Sequence, residues 1–381
     1  MQGSLRIGKI AGIEIDIHYS WLIIFVLLTT SLAVSWFPTS APSRSTLAYW
    51  IAGGVAAVLL FVSVLLHELA HSLLAKSRGM PVKSITLFIF GGVSNLEQEP
   101  ENPGTEFWMA LVGPLTSLAI GGISALLMVA LSGTDKLVVA VLGYLALTNV
   151  LLGVFNMIPG FPLDGGRVLR SILWRISGDM SRATRWAASV GQFIAYIFIL
   201  AGIWLFFTIS PLDGLWIGFI GWFLLQAARG EEQQVRIEQE SRGVYVFNVM
   251  QPPPPACAPG TTIREFVDEQ VLRSGQRASP VVADGQLVGL VTLKDVLRVP
   301  RDQWGLLSVA RVMIPASQLI TVEAHEPLYA ALKRVMSAEV SQVPVVDNGN
   351  LVGLINVESA LRWLQLRREI EPPARPLANA S

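Results

Sequence analysis

Apolar residues are spread unevenly along the 381-residue chain. Up to about residue 229 they gather into long runs, whereas residues 230–381 alternate apolar and polar positions on the scale of ordinary strands and helices. Six runs lie near 19–37, 47–75, 107–131, 136–158, 187–209 and 213–229. As helices rising about 1.5 Å per residue, they approach or exceed the length needed to cross a hydrocarbon layer about 30 Å thick. Tyr19, Trp21, Trp36, Tyr49, Trp50 and Trp108 stand near the ends of these runs, where amphipathic rings meet a membrane–water boundary. The pattern predicts a membrane domain over residues 1–229, with about six transmembrane helices, followed by a water-facing part.

Lysine and arginine orient the spans. Arg6, Lys9, Lys76, Arg78, Lys83, Arg167, Arg170, Arg175, Arg182, Arg185 and Arg229 fall on one side, and only Arg44 and Lys136 on the other. The positive-inside bias places both termini in the cytoplasm of a multi-pass cell-membrane protein. The first residues, MQGSLRIGKIAGIEIDIHYS, lack a basic stretch running straight into an apolar core and cleavage site, so no removable leader is expected. Between the second and third spans, VKSITLFIFGGVSN is β-branched and aromatic, which predicts a strand near 84–93 ended by Gly91-Gly92. Two readings stand for it: a hairpin at the interface, or a re-entrant strand whose edge pairs with an extended peptide. The second makes Gly91 and Gly92 candidate substrate contacts.

The water-facing part opens with a polar helix over 230–244, GEEQQVRIEQESRG at its core, and then repeats itself. SPVVADGQLVGLVTLKDVL (279–297) and VPVVDNGNLVGLINVESAL (343–361) align without a gap, each preceded by a Val-Met pair at Val249-Met250 or Val312-Met313. Each copy reads as strand, Asp-Gly or Asn-Gly turn, strand and helix, which predicts two α/β repeats over 245–300 and 308–366. Residues 367–381, ending EPPARPLANAS, are expected to be disordered.

Composition sharpens this picture in three places. Hydrophobic residues make up 52 % and charged residues 15 %, against about a quarter charged in a typical soluble domain. Mean hydropathy is +0.52. The formal net charge is zero, so nothing draws the chain to nucleic acid. Cys257 is the single cysteine, which excludes an intrachain disulfide or a thiolate zinc cage.

Only four histidines are present, and two stand in the second span as HELAH. His67 and His71 are four residues apart and share one face of a helix, where two imidazoles can ligate one zinc ion. Glu68 sits at the edge of that face, within reach of a water at the metal as general base. An exposed polar face is the ordinary alternative for such a pattern, but inside an apolar span it costs about 2–3 kcal/mol or more per acidic residue. Catalytic zinc takes three protein ligands. His18 begins the first span and His325 lies in the water-facing part, so a carboxylate is the better third ligand. Asp164, in NMIPGFPLDGGR after the fourth span, is the candidate: Pro159 and Pro162 break the helix, Gly165-Gly166 allow close backbone approach, and the topology brings it to the same side as His71. The alternative is a turn residue at a helix exit. Gly113-Pro114 in the third span reads as a kink or a close crossing. Asn156 and Asn149 in the fourth bind either a substrate backbone or a neighbouring helix.

HELAH, FGGV, Gly113-Pro114 and FNMIPGFPLDGGR together resemble the site-2 protease family of intramembrane zinc metalloproteases, in the archaeal and bacterial branch that includes the sporulation factor protease and carries a pair of cystathionine-β-synthase (CBS) domains. The resemblance covers 1–229 for the protease and 245–366 for the CBS pair. It implies a multi-pass α-helical membrane fold with a short membrane-associated strand or hairpin, plus a cytoplasmic α/β CBS pair, in a prokaryotic cell. It implies Zn2+ on His67, His71 and Asp164, Glu68 as base, and a membrane-spanning protein substrate in the lipid bilayer, such as an anti-sigma factor or tethered precursor. No PDZ insertion is visible, which leaves substrate selection to other parts. CBS pairs often hold an adenine nucleotide on a Thr/Ser and an Asp after the second strand. The first repeat keeps these as Thr292 and Asp295, whereas the second has Asn356 and Ser359. Nucleotide binding and a homodimerisation or docking role both remain open for the pair. Two competing readings, a CBS-regulated transporter and a silent membrane binding protein, are disfavoured: the spans show no repeat of broken helices, and Glu68 is present.

Overall fold

The computed structural model describes residues 3–370 except 90, 97–98, 254 and 338–341. The chain divides into two compact units, Met1–Val235 and Arg236–Ser381.

The first unit begins with a hairpin, β1 (Ser4–Ile10) and β2 (Ile13–His18), turning at Ala11 and Gly12 with φ of 50° and 84°. Then come α1 (Ser20–Ser31), prolonged through a π-helical turn at Leu32–Trp36 and a last turn at Phe37–Ser40, and α2 (Thr46–Ser77). A second hairpin, β3 (Val82–Phe88) and β4 (Gly91–Leu96), leads to α3 (Pro103–Ala130), α4 (Lys136–Asn156), α5 (Asp164–Ser177), α6 (Met180–Thr208) and α7 (Pro211–Glu240). Among the described residues six helices, Ser20–Ser40 and α2, α3, α4, α6 and α7, are long and apolar enough to cross a membrane. They coincide with the six runs of the sequence. Polar turn residues start them: side chains of Ser45, Asn102, Asp135 and Asp179 accept from backbone N–H groups of the first turns of α2, α3, α4 and α6.

The four strands form one sheet in the order β1-β2-β3-β4, with β2 and β3 parallel and the other pairs antiparallel. Of the two readings of 84–93 the hairpin matches this pairing, but Gly91-Gly92 do not end a strand as expected. The strand stops at Phe88 and the chain returns from Gly91, whose φ of 130° only glycine adopts easily, so Gly91-Gly92 open a strand rather than close one. β3 therefore has neighbours on both sides, and β4 is an edge. The N-terminal hairpin was not anticipated, although Ile13, Ile15 and Ile17 alternate with Glu14 and Asp16 as a half-buried strand should. Ile13, Ile15 and Ile85 pack against Leu69 of α2, which seats the sheet beside the histidine helix.

α4 ends at Asn156, and the chain passes through the Pro-Gly-Phe-Pro turn before α5 starts at Asp164. Gly165 and Gly166 are buried against the backbone of that turn, at Met157–Ile158 and Gly160–Phe161, where no Cβ would fit. The close approach expected of this glycine pair is thus what folds α5 back under the exit of α4.

In the second unit, hairpins β5 (Ala278–Ala283)/β6 (Gln286–Thr292) and β9 (Val343–Asp347)/β10 (Asn350–Ile355) turn at Asp284-Gly285 and Asn348-Gly349, all four residues with positive φ. They join with β7 (Ile314–Pro315) and β8 (Val322–Glu323) in one sheet of order β5-β6-β10-β9-β8, β7 pairing with β6. Helices α8 (Leu293–Val296), α9 (Leu328–Ser337) and α10 (Val357–Ile370) follow the strands. Each repeat has its own core, Phe266, Val281 and Val291 in one and Leu328, Leu332, Val345 and Ile355 in the other. Val244 and Val246 belong to the second core, with Ile237 packed against it, so the segment preceding the first repeat completes the second. α10 runs to Ile370, through the first residues of the tail expected to be disordered; 371–381 lie outside the described residues.

Cys257 is buried in the first repeat, and burial pushes its thiol up from the usual range. Alkylation by iodoacetamide at neutral pH is expected to be at least about tenfold slower in the native protein than in denaturant. Equal rates, measured by mass spectrometry, would contradict this packing.

Candidate active site

α2 presents His67 and His71 one turn apart, both about 95 % buried. Their Nε2 atoms are 3.2 Å from each other, and Asp164 Oδ2 lies 3.1 Å from His67 Nε2 and 3.2 Å from His71 Nε2. Three donor atoms from residues 97 positions apart thus converge on one point, in a cluster that could hold a metal ion. Asp164 occupies the first turn of α5, where the helix dipole favours a carboxylate.

The outward ring nitrogens are held as well. His71 Nδ1 lies 2.5 Å from the Met109 carbonyl, so it must carry the proton and donate. His67 Nδ1 is 2.9 Å from Ser117 Oγ. With its Nδ1 proton given to Met109, His71 turns the Nε2 lone pair toward the shared centre, and Ser117 Oγ holds the His67 ring in orientation. Both partners lie on α3 and were not found from the sequence. The clue was Gly113-Pro114, which sits between them. A Cβ on Gly113 would run into the His71 and His67 rings, so the glycine is a close crossing of α3 over α2 at the site itself. Pro114 removes one N–H from the α3 ladder beside this crossing.

Glu68 follows His67 on α2. Its Oε2 accepts from Ser94 Oγ at 2.9 Å, and Ser72 Oγ donates to Ser94 Oγ at 3.1 Å. Gly92 lies so close to the Glu68 Cγ that a Cβ there would overlap it. β4 therefore covers Glu68 with Gly92 and Ser94, two positions apart on one face of the strand. Gly92 is thus brought to the site; Gly91 has open space about its Cα. Asn156 donates to the Leu152 carbonyl of its own helix. Asn149 is fully buried and donates to Ser63 Oγ of α2 at 3.2 Å, the helix-to-helix alternative of its two readings.

The donor set fits zinc. Ligand atoms about 2.0–2.1 Å from a tetrahedral ion stand about 3.3 Å apart, close to the three separations observed here.

The sequence profile of Peptidase family M50 matches residues 55–138 and 134–201, a region that contains every one of these side chains. The CBS domain profile matches 246–302 and 309–366. Along almost its whole length the chain is similar to Rip3 of Mycobacterium tuberculosis, named as a zinc metalloprotease: 36 % identity over 98 % of this chain and 95 % of that one. The chain belongs to the M50 family. A zinc metalloprotease of Methanocaldococcus jannaschii is 30 % identical over 97 % of this chain and all of that one. The solved site-2 protease of the same organism aligns with 60 % of this chain and 95 % of its own, at 30 % identity and a TM-score of 0.41. This M50 protein is a multi-pass membrane zinc metalloendopeptidase of the site-2 protease type with a CBS pair, as its sequence motifs implied.

Gly113→Ala is expected to push the two imidazoles apart and weaken zinc binding at least about tenfold. Chelator competition on the purified protein measures it, and an unchanged affinity would show that the crossing is not set by that glycine.

Proposed function

We propose that this M50 protein hydrolyses a peptide bond of a membrane-spanning protein within or at the edge of the bilayer, with His67, His71 and Asp164 holding one zinc ion and Glu68 as general base. The convergence of three donor atoms from two buried histidines and an aspartate, with a glutamate beside them, carries this reading.

Zinc, when bound, supplies Lewis acidity, polarising the scissile carbonyl and making water more acidic. The chain's own groups do the rest. Ser94 holds Glu68 Oε2 in place, which leaves Oε1 to take a proton from the attacking water and return it to the departing amine. Met109 keeps His71 in the tautomer that offers Nε2 inward, and Ser117 holds the orientation of the His67 ring. A helical substrate hides its peptide bonds in its own ladder, so it must be extended before attack. The free edge of β4 suits that form: a strand added there lies about 4.8 Å from the strand that covers Glu68. Both termini and the site face the cytoplasm on this reading, because the basic residues cluster with the loops that carry β3 and α5.

The CBS pair is read as a regulator. A cleft of about 1050 Å³ is lined by Thr292 and Asp295 of the first repeat and Asn356 and Glu358 of the second, with Arg277, Lys294 and Arg298 at hand for phosphates. Thr292 accepts from the Asp295 N–H, and Asn356 accepts from the Ser359 N–H, so both residues cap the helix that follows. Only the first repeat places a carboxylate three residues after the cap, Asp295 where the second has Ser359, which favours one adenine nucleotide per pair, its ribose at Asp295.

Glu68→Gln should retain zinc and lose at least about 100-fold in cleavage of a reconstituted membrane substrate. Cleavage that survives in this variant overturns the assigned base. In titration calorimetry, Asp295→Ala should abolish ATP or AMP binding seen with the unaltered protein. If the unaltered protein binds neither nucleotide but dimerises through the pair in light scattering, the docking role replaces the nucleotide role.

A further inference from the structure

A second buried charge cluster lies beside the site, and the hydrolytic mechanism does not use it. Glu106, in the first turn of α3, is fully buried, and Arg170 of α5 is 7 % exposed. Arg170 Nε and Nη2 both reach Glu106 Oε1. The Arg170 guanidinium also stacks over the Phe161 ring, 5.3 Å from its centroid. Phe161 is itself buried, in the turn that leads to Asp164.

We propose that Glu106 and Arg170 form a positioning clamp that sets the place of Asp164 relative to the two histidines, and hence the affinity and geometry of the metal centre. The proposal rests on reading His67, His71 and Asp164 as the metal ligands. Burying two charges carries a desolvation cost that their attraction must offset, and an apolar pair of similar volume often serves stability as well or better. What the ion pair adds is position. Glu106 is three residues before Met109, whose carbonyl holds His71 Nδ1, so on α3 the anchor and the histidine support share a face. Arg170 is six residues after Asp164, about 9 Å along α5 at about 1.5 Å per residue. A tilt of α5 of only about 6° about Arg170 would move Asp164 by about 1 Å, enough to spoil a metal site. The Phe161 contact ties the turn before Asp164 to the same guanidinium. Arginine suits the role because its planar fork fixes direction, which a lysine ammonium does not.

The test uses the full-length protein in detergent, with zinc affinity from chelator competition and the visible d–d band of the cobalt(II)-substituted form as readouts. Glu106→Gln and Arg170→Lys are expected to weaken zinc binding about 10- to 100-fold and to alter the cobalt band, with helix content by circular dichroism unchanged. The double variant Glu106→Leu/Arg170→Leu leaves no unpaired charge and covers the case in which a single variant fails to fold; it too should bind weakly with an altered band. Gln192→Ala, which removes a hydrogen bond to Glu232 between α6 and α7, is the control and should match the parent. A folded double variant with parental affinity and an unaltered cobalt band would overturn the clamp. If instead Asp164→Asn binds zinc as tightly as the parent, the ligand assignment fails first, and the clamp with it.

Discussion

A polar group surrounded by hydrocarbon has to find its partner inside the protein, and this requirement organises the whole first unit. His67, His71, Glu68 and Asp164 each bring polar atoms into an apolar bundle. The inward nitrogens and the carboxylate converge on a common centre, and the outward atoms are satisfied by Met109, Ser117 and Ser94. That demand dictates where α3 must cross, why a glycine stands at the crossing, and why a strand with a glycine and a serine on one face lies against Glu68. The site is therefore the reason for the packing around it as much as a passenger on it.

Two sets of residues were legible from the sequence for different reasons. The six spans announce themselves through length and apolarity, properties that survive any detail of packing. HELAH and Asp164 stand out because charge in an apolar run, or an aspartate framed by two prolines and two glycines, is too costly or too unusual to be incidental. The supporting groups were not legible. A backbone carbonyl such as that of Met109 has no signature in a sequence, and a serine such as Ser117 in a spanning helix ordinarily bonds its own turn. A hairpin was one of two readings of 84–93, but its turn was misplaced because β-branched patterning does not mark where a chain reverses; the positive φ of Gly91 does, and it is a property of the backbone.

Glu106 and Arg170 illustrate a different blind spot. Each looks like a helix-end charge at a membrane face, and Arg170 counts among the basic residues that orient the spans. Only the fold shows that they meet in a buried pair, with Arg170 also against the turn before Asp164. The repeat of the second unit was easier, since Asp-Gly and Asn-Gly turns fix each hairpin locally. What escaped was the exchange at its start: residues preceding the first repeat fill the core of the second, so segments adjacent in sequence do not share a core.

The two caps of the CBS pair carry a consequence of their own. Thr292 and Asn356 perform the same backbone task, yet the residue three positions on is Asp295 in one repeat and Ser359 in the other. A pseudo-twofold cleft built from equal halves could accept an occupant either way round. Arg277, Lys294, Asp295 and Arg298 line this cleft from the first repeat and Glu358 from the second, so its two ends differ in charge and it has a direction.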